Sequence, residues 1–166
     1  VSGIAQGYGH SCAVTTNGSV WCWGSNVDGA LGDDTLTPRP APVEVVGFGG
    51  GAPGTERLHA VALTAGNFHT CALTDQGDVW CWGNNAYGQL GDGTTDRRLT
   101  PEPVVGLGGR AVQLAAGAYH TCARLADGAV ECWGSNSYGQ LGDGTGLDSR
   151  FPVVVADLGA GATWLA

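Results

Sequence analysis

One block of sequence occurs three times in this chain, and each occurrence carries two cysteines ten positions apart. His10-Ser11-Cys12 through Trp21-Cys22-Trp23-Gly24 returns as His69-Thr70-Cys71 through Trp80-Cys81-Trp82-Gly83. It returns again as His120-Thr121-Cys122 through Glu131-Cys132-Trp133-Gly134. A fixed period of about 50–60 residues means that like supersecondary units stack on one another, because no single unit can bury its apolar face alone. The repeats run approximately 1–60, 61–111 and 112–161, and 162–166 begins the next one.

Each unit opens on a hairpin whose register the residues dictate. If Asn17 centres a three-residue loop, Val14 faces Val20 and Cys12 faces Cys22; the same arithmetic holds around Gln76 and Asp127. The third loop residue is Gly18, Gly77 or Gly128, the place where such a loop needs a left-handed conformation. Opposed residues on antiparallel strands have Cα atoms roughly 4.5–5.5 Å apart, within reach of a disulfide. The expected pairs are Cys12–Cys22, Cys71–Cys81 and Cys122–Cys132. Each closes a short loop, so it should lock its hairpin and do little to tie repeats together. Buried free thiols are one alternative. A zinc site of His10, Cys12 and Cys22 is another, but the usual spacing of about two to four residues between ligands is absent. Six paired cysteines point to an oxidising compartment, hence to a secreted or cell-surface protein.

After the hairpin comes a polar turn, Gly24 to Asp33, Gly83 to Asp92 and Gly134 to Asp143. A Pro-containing stretch and a short apolar strand follow, over 43–46, 103–105 and 152–155. A last strand leads into the next hairpin. Four short strands per repeat is the pattern of a propeller blade. The expected fold is all-β, with three four-stranded antiparallel repeats forming an incomplete propeller or a segment of a larger one. Residues 1–7 align with 111–117, and 162–166 with 111–115, so the chain holds three periods and a short overlap. With no Met, the expectation is a processed protein or a piece of one. A segment of a longer propeller is favoured over a ring completed by other chains, and both over a stand-alone wedge. Repeat one is longer by a Gly-rich insertion over 48–57, a spacer between blades.

Charge narrows the function. The net charge is −8, and all seven basic residues are Arg. Such a surface is a poor match for nucleic acid or for an anionic membrane, and no run of apolar residues is long enough to cross one as a helix. No nucleophile–base set, P-loop or dinucleotide motif is present, so no enzyme, cofactor or metal is expected.

The blocks Ala-Gly-x-x-His-Thr-x-Ala-Leu, Val-x-x-Trp-Gly-x-Asn and Tyr-Gly-Gln-Leu-Gly-Asp-Gly-Thr resemble the regulator of chromosome condensation repeat over essentially the whole chain. The resemblance implies a β-propeller, usually seven-bladed. Functions in that family range from nucleotide exchange on a small GTPase with chromatin binding, through ultraviolet-B reception in plants, to inhibition of β-lactamases by a secreted bacterial member. The cysteine pair is not part of the general repeat and points to an extracellular bacterial branch. The photoreceptor's Gly-Trp-Arg-His-Thr block is replaced here by Gly-Tyr-Gly-His-Ser, Gly-Asn-Phe-His-Thr and Gly-Ala-Tyr-His-Thr, which removes the chromophore residues.

Repetition sorts the candidate residues. His10, His69 and His120 share one position, as a structural hydrogen bond in every blade would require. Trp23, Trp82 and Trp133 share another and should pack. Asp33, Asp92 and Asp143 should cap their turns, since calcium-loop spacings are missing. Trp21, Trp80 and Glu131 occupy one position, and its tolerance of both Trp and Glu implies exposure. His59 lies outside the repeat and should be a surface residue. The variable residues before each His stand out: Tyr8, Asn67 with Phe68, and Tyr119. In a propeller these turns line up on one face, where aromatics suit protein recognition. The expected role is therefore a non-catalytic extracellular module that binds a protein partner or other copies of itself. Inhibition of a secreted enzyme such as a β-lactamase, or an architectural role in a fibre, are the alternatives. Disulfides and acidity count against nucleotide exchange.

Overall fold

Short alternating segments broken by Gly- and Asn-containing turns favour meandering strands, and twelve of them form among the described residues. The computed structural model describes residues 1–49, 57–158 and 162–163. Blade 1 contains β1 (Gly3–Gln6), β2 (His10–Val14), β3 (Val20–Gly24) and β4 (Arg39–Glu44). Blade 2 contains β5 (Ala60–Ala65), β6 (His69–Thr74), β7 (Val79–Gly83) and β8 (Arg98–Pro103). Blade 3 contains β9 (Ala111–Ala116), β10 (His120–Leu125), β11 (Val130–Gly134) and β12 (Ser149–Val154). Each blade is one four-stranded antiparallel sheet with its strands in chain order. The leading strands β1, β5 and β9 touch in succession and so line the common axis. The last strand of each blade is the outer edge. Residues 50–56 of the insertion and 164–166 of the terminal overlap lie outside the described residues.

The hairpin register matches the expectation. Cys12 opposes Cys22, Cys71 opposes Cys81 and Cys122 opposes Cys132. Gly18, Gly77 and Gly128 have φ of 77°, 86° and 89°. All three cysteine pairs are disulfide-bonded, with Cα separations of 4.1, 4.1 and 4.0 Å. A sulfur held in a disulfide is no longer a thiolate, so the zinc alternative at His10 loses its ligands.

The outer strands need correction. They begin at Arg39, Arg98 and Ser149, several residues before the apolar segments expected to form them. The Pro-containing stretch is itself the strand. An outermost strand pairs along one side only, so Pro40, Pro42, Pro101 and Pro152 can sit there without breaking a ladder on both sides.

Blades pack face to face. The cystine face of one meets the Trp face of the next. Cys12, Cys22, Leu31, Val45 and Phe48 of blade 1 form one core with Ala60, Ala72 and Trp82 of blade 2. Cys71, Cys81 and Leu90 of blade 2 form another with Ala123, Leu125 and Trp133 of blade 3. The cystines therefore do more than close hairpins: Cys12 Sγ lies 3.9 Å from Thr70 Oγ1, and Cys71 Sγ lies 3.9 Å from Thr121 Oγ1, both across the boundary between blades. Each disulfide lies within one hairpin, as expected, and the opposed position that allows the bond also faces the next blade, so the sulfurs join the packing at the boundary.

Both faces of an inner strand are covered where blades stack, so the expected exposure of Trp80 and Glu131 also fails; Trp21 lies with Trp23 on the face of blade 1 turned away from blade 2. Glu131 is buried, and Trp21 and Trp80 are half-buried. The Glu131 carboxylate is satisfied by the Gly108 N–H at 3.1 Å, from the loop that enters blade 3. A buried carboxylate is tolerated when it accepts a hydrogen bond. The described ends of the insertion meet each other. Phe48 is fully buried and pairs with Leu58, while Arg57 Nη1 donates to the Phe48 carbonyl at 3.1 Å.

Candidate functional site

The turns at one end of the blades carry the variable aromatics, and two repeated devices hold those turns in place. The first is a clasp between blades. His10 Nε2 lies 2.9 Å from Thr70 Oγ1, and His69 Nε2 lies 2.9 Å from Thr121 Oγ1. Each hydroxyl gives its single hydrogen to a carbonyl, Ala30 for Thr70 and Gln89 for Thr121, both at 3.0 Å. A hydroxyl already donating can only accept from the imidazole, so Nε2 is the protonated nitrogen. His69 Nδ1 is then a bare acceptor, and it is buried without a partner among the described residues. Burial lowers the His10 pKa to about 4. Burial, with help from His10 and His120, lowers that of His69 to about 3. Both rings are neutral at physiological pH. Each lies on a glycine, Gly7 or Gly66, whose missing Cβ would meet its Cε1 at 2.2 or 2.1 Å. His120 has no Thr partner among the described residues; its pKa is lowered by burial. His10 and His69 thus each join two blades, and His120 holds the same position without such a bond among the described residues.

The second device is a knot inside the long turn. Asn26 is buried; its Nδ2 donates to Asp33 Oδ1 and to the Thr35 carbonyl, both at 3.0 Å, and its Oδ1 accepts from Leu31 N–H at 3.0 Å. Asn85 and Asn136 repeat the pattern with Asp92, Thr94 and Leu90, and with Asp143, Thr145 and Leu141. These asparagines are the hubs that sequence reasoning passed over, although their recurrence in every repeat was a signal. Asp33 and Asp92 cap the turns and also bind Arg39 and Arg98. Burial pushes both carboxyls up. Hydrogen bonds outweigh it, from Thr35, Arg39 and Asn26 at Asp33 and from Thr94, Arg98 and Asn85 at Asp92, and hold both below the ordinary carboxylate range. Backbone and side-chain bonds from Thr145 do the same for Asp143, which has Ser149 where the others have Arg.

On this frame the aromatics come together. Backbone bonds tie turn to turn: Tyr8 N–H to the Asn67 carbonyl at 3.1 Å, and Asn67 N–H to the Ala118 carbonyl at 3.0 Å. Ring centroids of Tyr8 and Phe68 are 5.8 Å apart, and those of Phe68 and Tyr119 are 6.1 Å apart. Tyr87, from the long turn of blade 2, adds a fourth ring 5.3 Å from Tyr119. It went unnoticed in the sequence because nothing in a single repeat places it against the next one. Tyr8 is 81% exposed, while Phe68, Tyr119 and Asn67 are half-buried. Such a row can stack on flat or apolar groups and offers the Asn67 amide between them. Of the tryptophans, Trp82 and Trp133 are fully buried and Trp23 half-buried, since no blade covers its face. His59 is a surface residue, 3.8 Å from Asp75.

The sequence and the fold resemble those of known proteins. Two family models, both described as the regulator of chromosome condensation (RCC1) repeat, match the chain, one over residues 17–73, 76–124 and 127–163 and the other over 1–30, 59–89 and 111–140. The ultraviolet-B receptor UVR8 of Arabidopsis thaliana is 38% identical over 150 residues, covering 90% of this chain and 32% of the receptor. The mitochondrial RCC1 domain-containing protein RUG3 of the same plant is 34% identical over 165 residues, covering 95% and 36%. The chain therefore spans about a third of these relatives. Human WBSCR16 superposes with a TM-score of 0.78 at 26% identity, over 92% of this chain and 39% of that one. Prp20p of Saccharomyces cerevisiae, described with its binding to Gsp1p and histones, gives 0.78 at 20% identity, over 93% and 38%.

Proposed function

The chain belongs to the regulator of chromosome condensation (RCC1) repeat family, and from that premise we propose that it is a non-catalytic, extracellular protein-binding module that meets its partner with the aromatic turn face. The observation that carries this reading is the row Tyr8–Phe68–Tyr119–Tyr87, an apolar strip with aromatic rings partly open to solvent on a braced frame. Aromatic side chains offer large contact areas at low entropic cost and are enriched in binding hot spots. Prp20p, a propeller of the same fold, is described as binding Gsp1p and histones, which supports protein recognition as the use of such a scaffold. A catalytic role gains nothing from the histidines, because His10 and His69 are neutral, buried and engaged in the clasp. Three cystines favour an oxidising compartment and hence secretion. The net charge of −8 disfavours nucleic acid.

The test is a peptide-display selection against the immobilised protein, compared with the triple variant Y8A/F68A/Y119A. The expected result is a set of ligands that the triple variant fails to hold at unchanged melting temperature. Ligands held equally by both would place recognition elsewhere.

A second reading, assembly through further blades of the same kind, draws on the clasp. Ser11 stands where Thr70 and Thr121 accept, and His120 stands where His10 and His69 donate. Concentration-dependent association in sedimentation, abolished by His120→Ala but not by the aromatic variant, is its expected signature.

A further inference from the structure

The long turns beside the aromatic row differ from blade to blade, and one of the differing positions borders the row. Tyr87 in blade 2 and Tyr138 in blade 3 occupy the place held in blade 1 by Asp28. Tyr87 fills the space beside Tyr119, ring to ring at 5.3 Å. Beside Phe68 the corresponding side chain is a short carboxylate, and a notch opens there. It is lined by Tyr8, Phe68, Val27, Asp28, Ala30 and Asn67, and it is small enough for one side chain rather than a whole ligand. Tyr8 and Phe68 wall it with rings inclined at 57°. Asn84 Nδ2 donates to Asp28 Oδ1 at 2.9 Å and fixes the carboxylate. Asp28 forms no ion pair among the described residues. Arg97 reaches the rim but donates to the Val27 carbonyl at 3.3 Å, not to Asp28.

We propose that this notch seats an arginine side chain of the partner, its guanidinium stacked on Tyr8 and Phe68 and its charge set against Asp28. The proposal rests on the aromatic face being the docking surface and names what that surface selects. Three properties converge on arginine. The guanidinium is planar, which suits a space that a tyrosine ring fills one blade further on, and it stacks on aromatic faces. Its fork can reach the open oxygen of Asp28 and the Asn67 amide oxygen. The protein has no Lys and a net charge of −8, so its long-range field draws a basic segment toward the face. His10 also borders the notch and, being neutral, does not oppose a cation.

The test uses a random peptide-display library selected on the intact protein. The best ligand is then synthesised with arginine or with uncharged citrulline at its shared basic position. Both are titrated against wild type, Asp28→Asn and Asp28→Tyr. Asn at 28 keeps the oxygen that accepts from Asn84, and Tyr restores the residue of the other repeats, so both variants should melt like wild type. The expected result is enrichment of arginine and about a tenfold or greater loss of affinity in both variants. Citrulline should cause the same loss against wild type and little further loss against Asp28→Asn. Ligands that need Tyr8 and Phe68 but carry no basic residue, or that bind Asp28→Asn undiminished, overturn the arginine assignment and leave the docking face standing. Ligands indifferent to Y8A/F68A/Y119A, or a library that yields none on folded protein, overturn the docking face itself.

Discussion

The boundary between blades 1 and 2 and the boundary between blades 2 and 3 are built from the same repeat yet completed differently. At the first, Trp82 is fully buried, its Nε1 donates to the Ala30 carbonyl at 2.8 Å, and Phe48 packs 6.0 Å from its ring centre. At the second, Trp133 is equally buried, but its Nε1 has no partner among the described residues, and Leu107 takes the place of Phe48. Gln89, which stands where Ala30 does, is folded back on Asn84 and Tyr87 N–H, both at 2.9 Å. Glu131 replaces Trp80 and binds Gly108 instead of packing as a ring. The His–Thr clasp and the buried cystine are common to both. The repeat thus supplies a shared skeleton, and loop residues finish each boundary separately. Stability in such a stack belongs to the interfaces as much as to the blades.

The strongest way to break that comparison is to remove each tryptophan. Trp82→Ala and Trp133→Ala should each lower stability by about 3–5 kcal/mol, as deletion of a buried Trp does. Trp82→Ala should be the worse, because it also orphans its carbonyl partner's second bond. Guanidinium unfolding midpoints decide the order, and the reverse order would refute the asymmetry.

Acid should act next, through the clasps. The folded pKa values of His10 and His69, about 4 and about 3, lie below the unfolded value near 6.5. Their neutral, buried forms therefore contribute stability above about pH 6.5 that is lost as pH falls toward 4 and then 3. The capping aspartates, whose pKa values are depressed, lose their contribution only at lower pH. Melting temperatures at pH 7 and pH 4.5 should fall less for His69→Gln than for wild type. An equal fall would remove the clasp as the acid-sensitive part.

The cystines offer a finer test. Each joins residues separated by 10 positions, so loop-closure entropy alone predicts an equal loss of about 2.5–3 kcal/mol for C12A/C22A and C71A/C81A. Any excess over that figure measures how much each sulfur pair adds to its boundary. Smallest is the hydrogen-bond term. Trp82→Phe should cost about 1 kcal/mol more than Trp133→Phe, since only the first gives up a made bond. Equal costs would show that the two indoles are alike in solution.

Much of the scaffold was legible in the residues. The hairpin register followed from Gly18, Gly77 and Gly128 at the third loop position, because positive φ is a local requirement. The histidine, tryptophan and aspartate positions read as structural in the sequence because they recur. Other features needed neighbours in space. The outer strands were placed too late, because Pro argues against a strand unless that strand is known to be an edge. Glu131 reads as exposed in the sequence, because tolerance of Trp and Glu looks like exposure until Gly108 supplies a donor. Three of the four rings of the candidate face, Tyr8, Phe68 and Tyr119, could be picked out from the variable turn. Tyr87 and the Asp28 notch could not.

By itself the sequence determined the repeating hairpin, its cysteine pairing and the four-stranded unit, since all of these arise from contacts within about ten to fifty residues whose periodicity is written along the chain. Only the tertiary structure decided which groups meet between blades: the His–Thr clasps, the second duty of the cystines, the unequal tryptophans and the opening beside Asp28. Those depend on the rotation of one sheet against the next, and that angle is set by packing of whole faces rather than by any local stretch of residues.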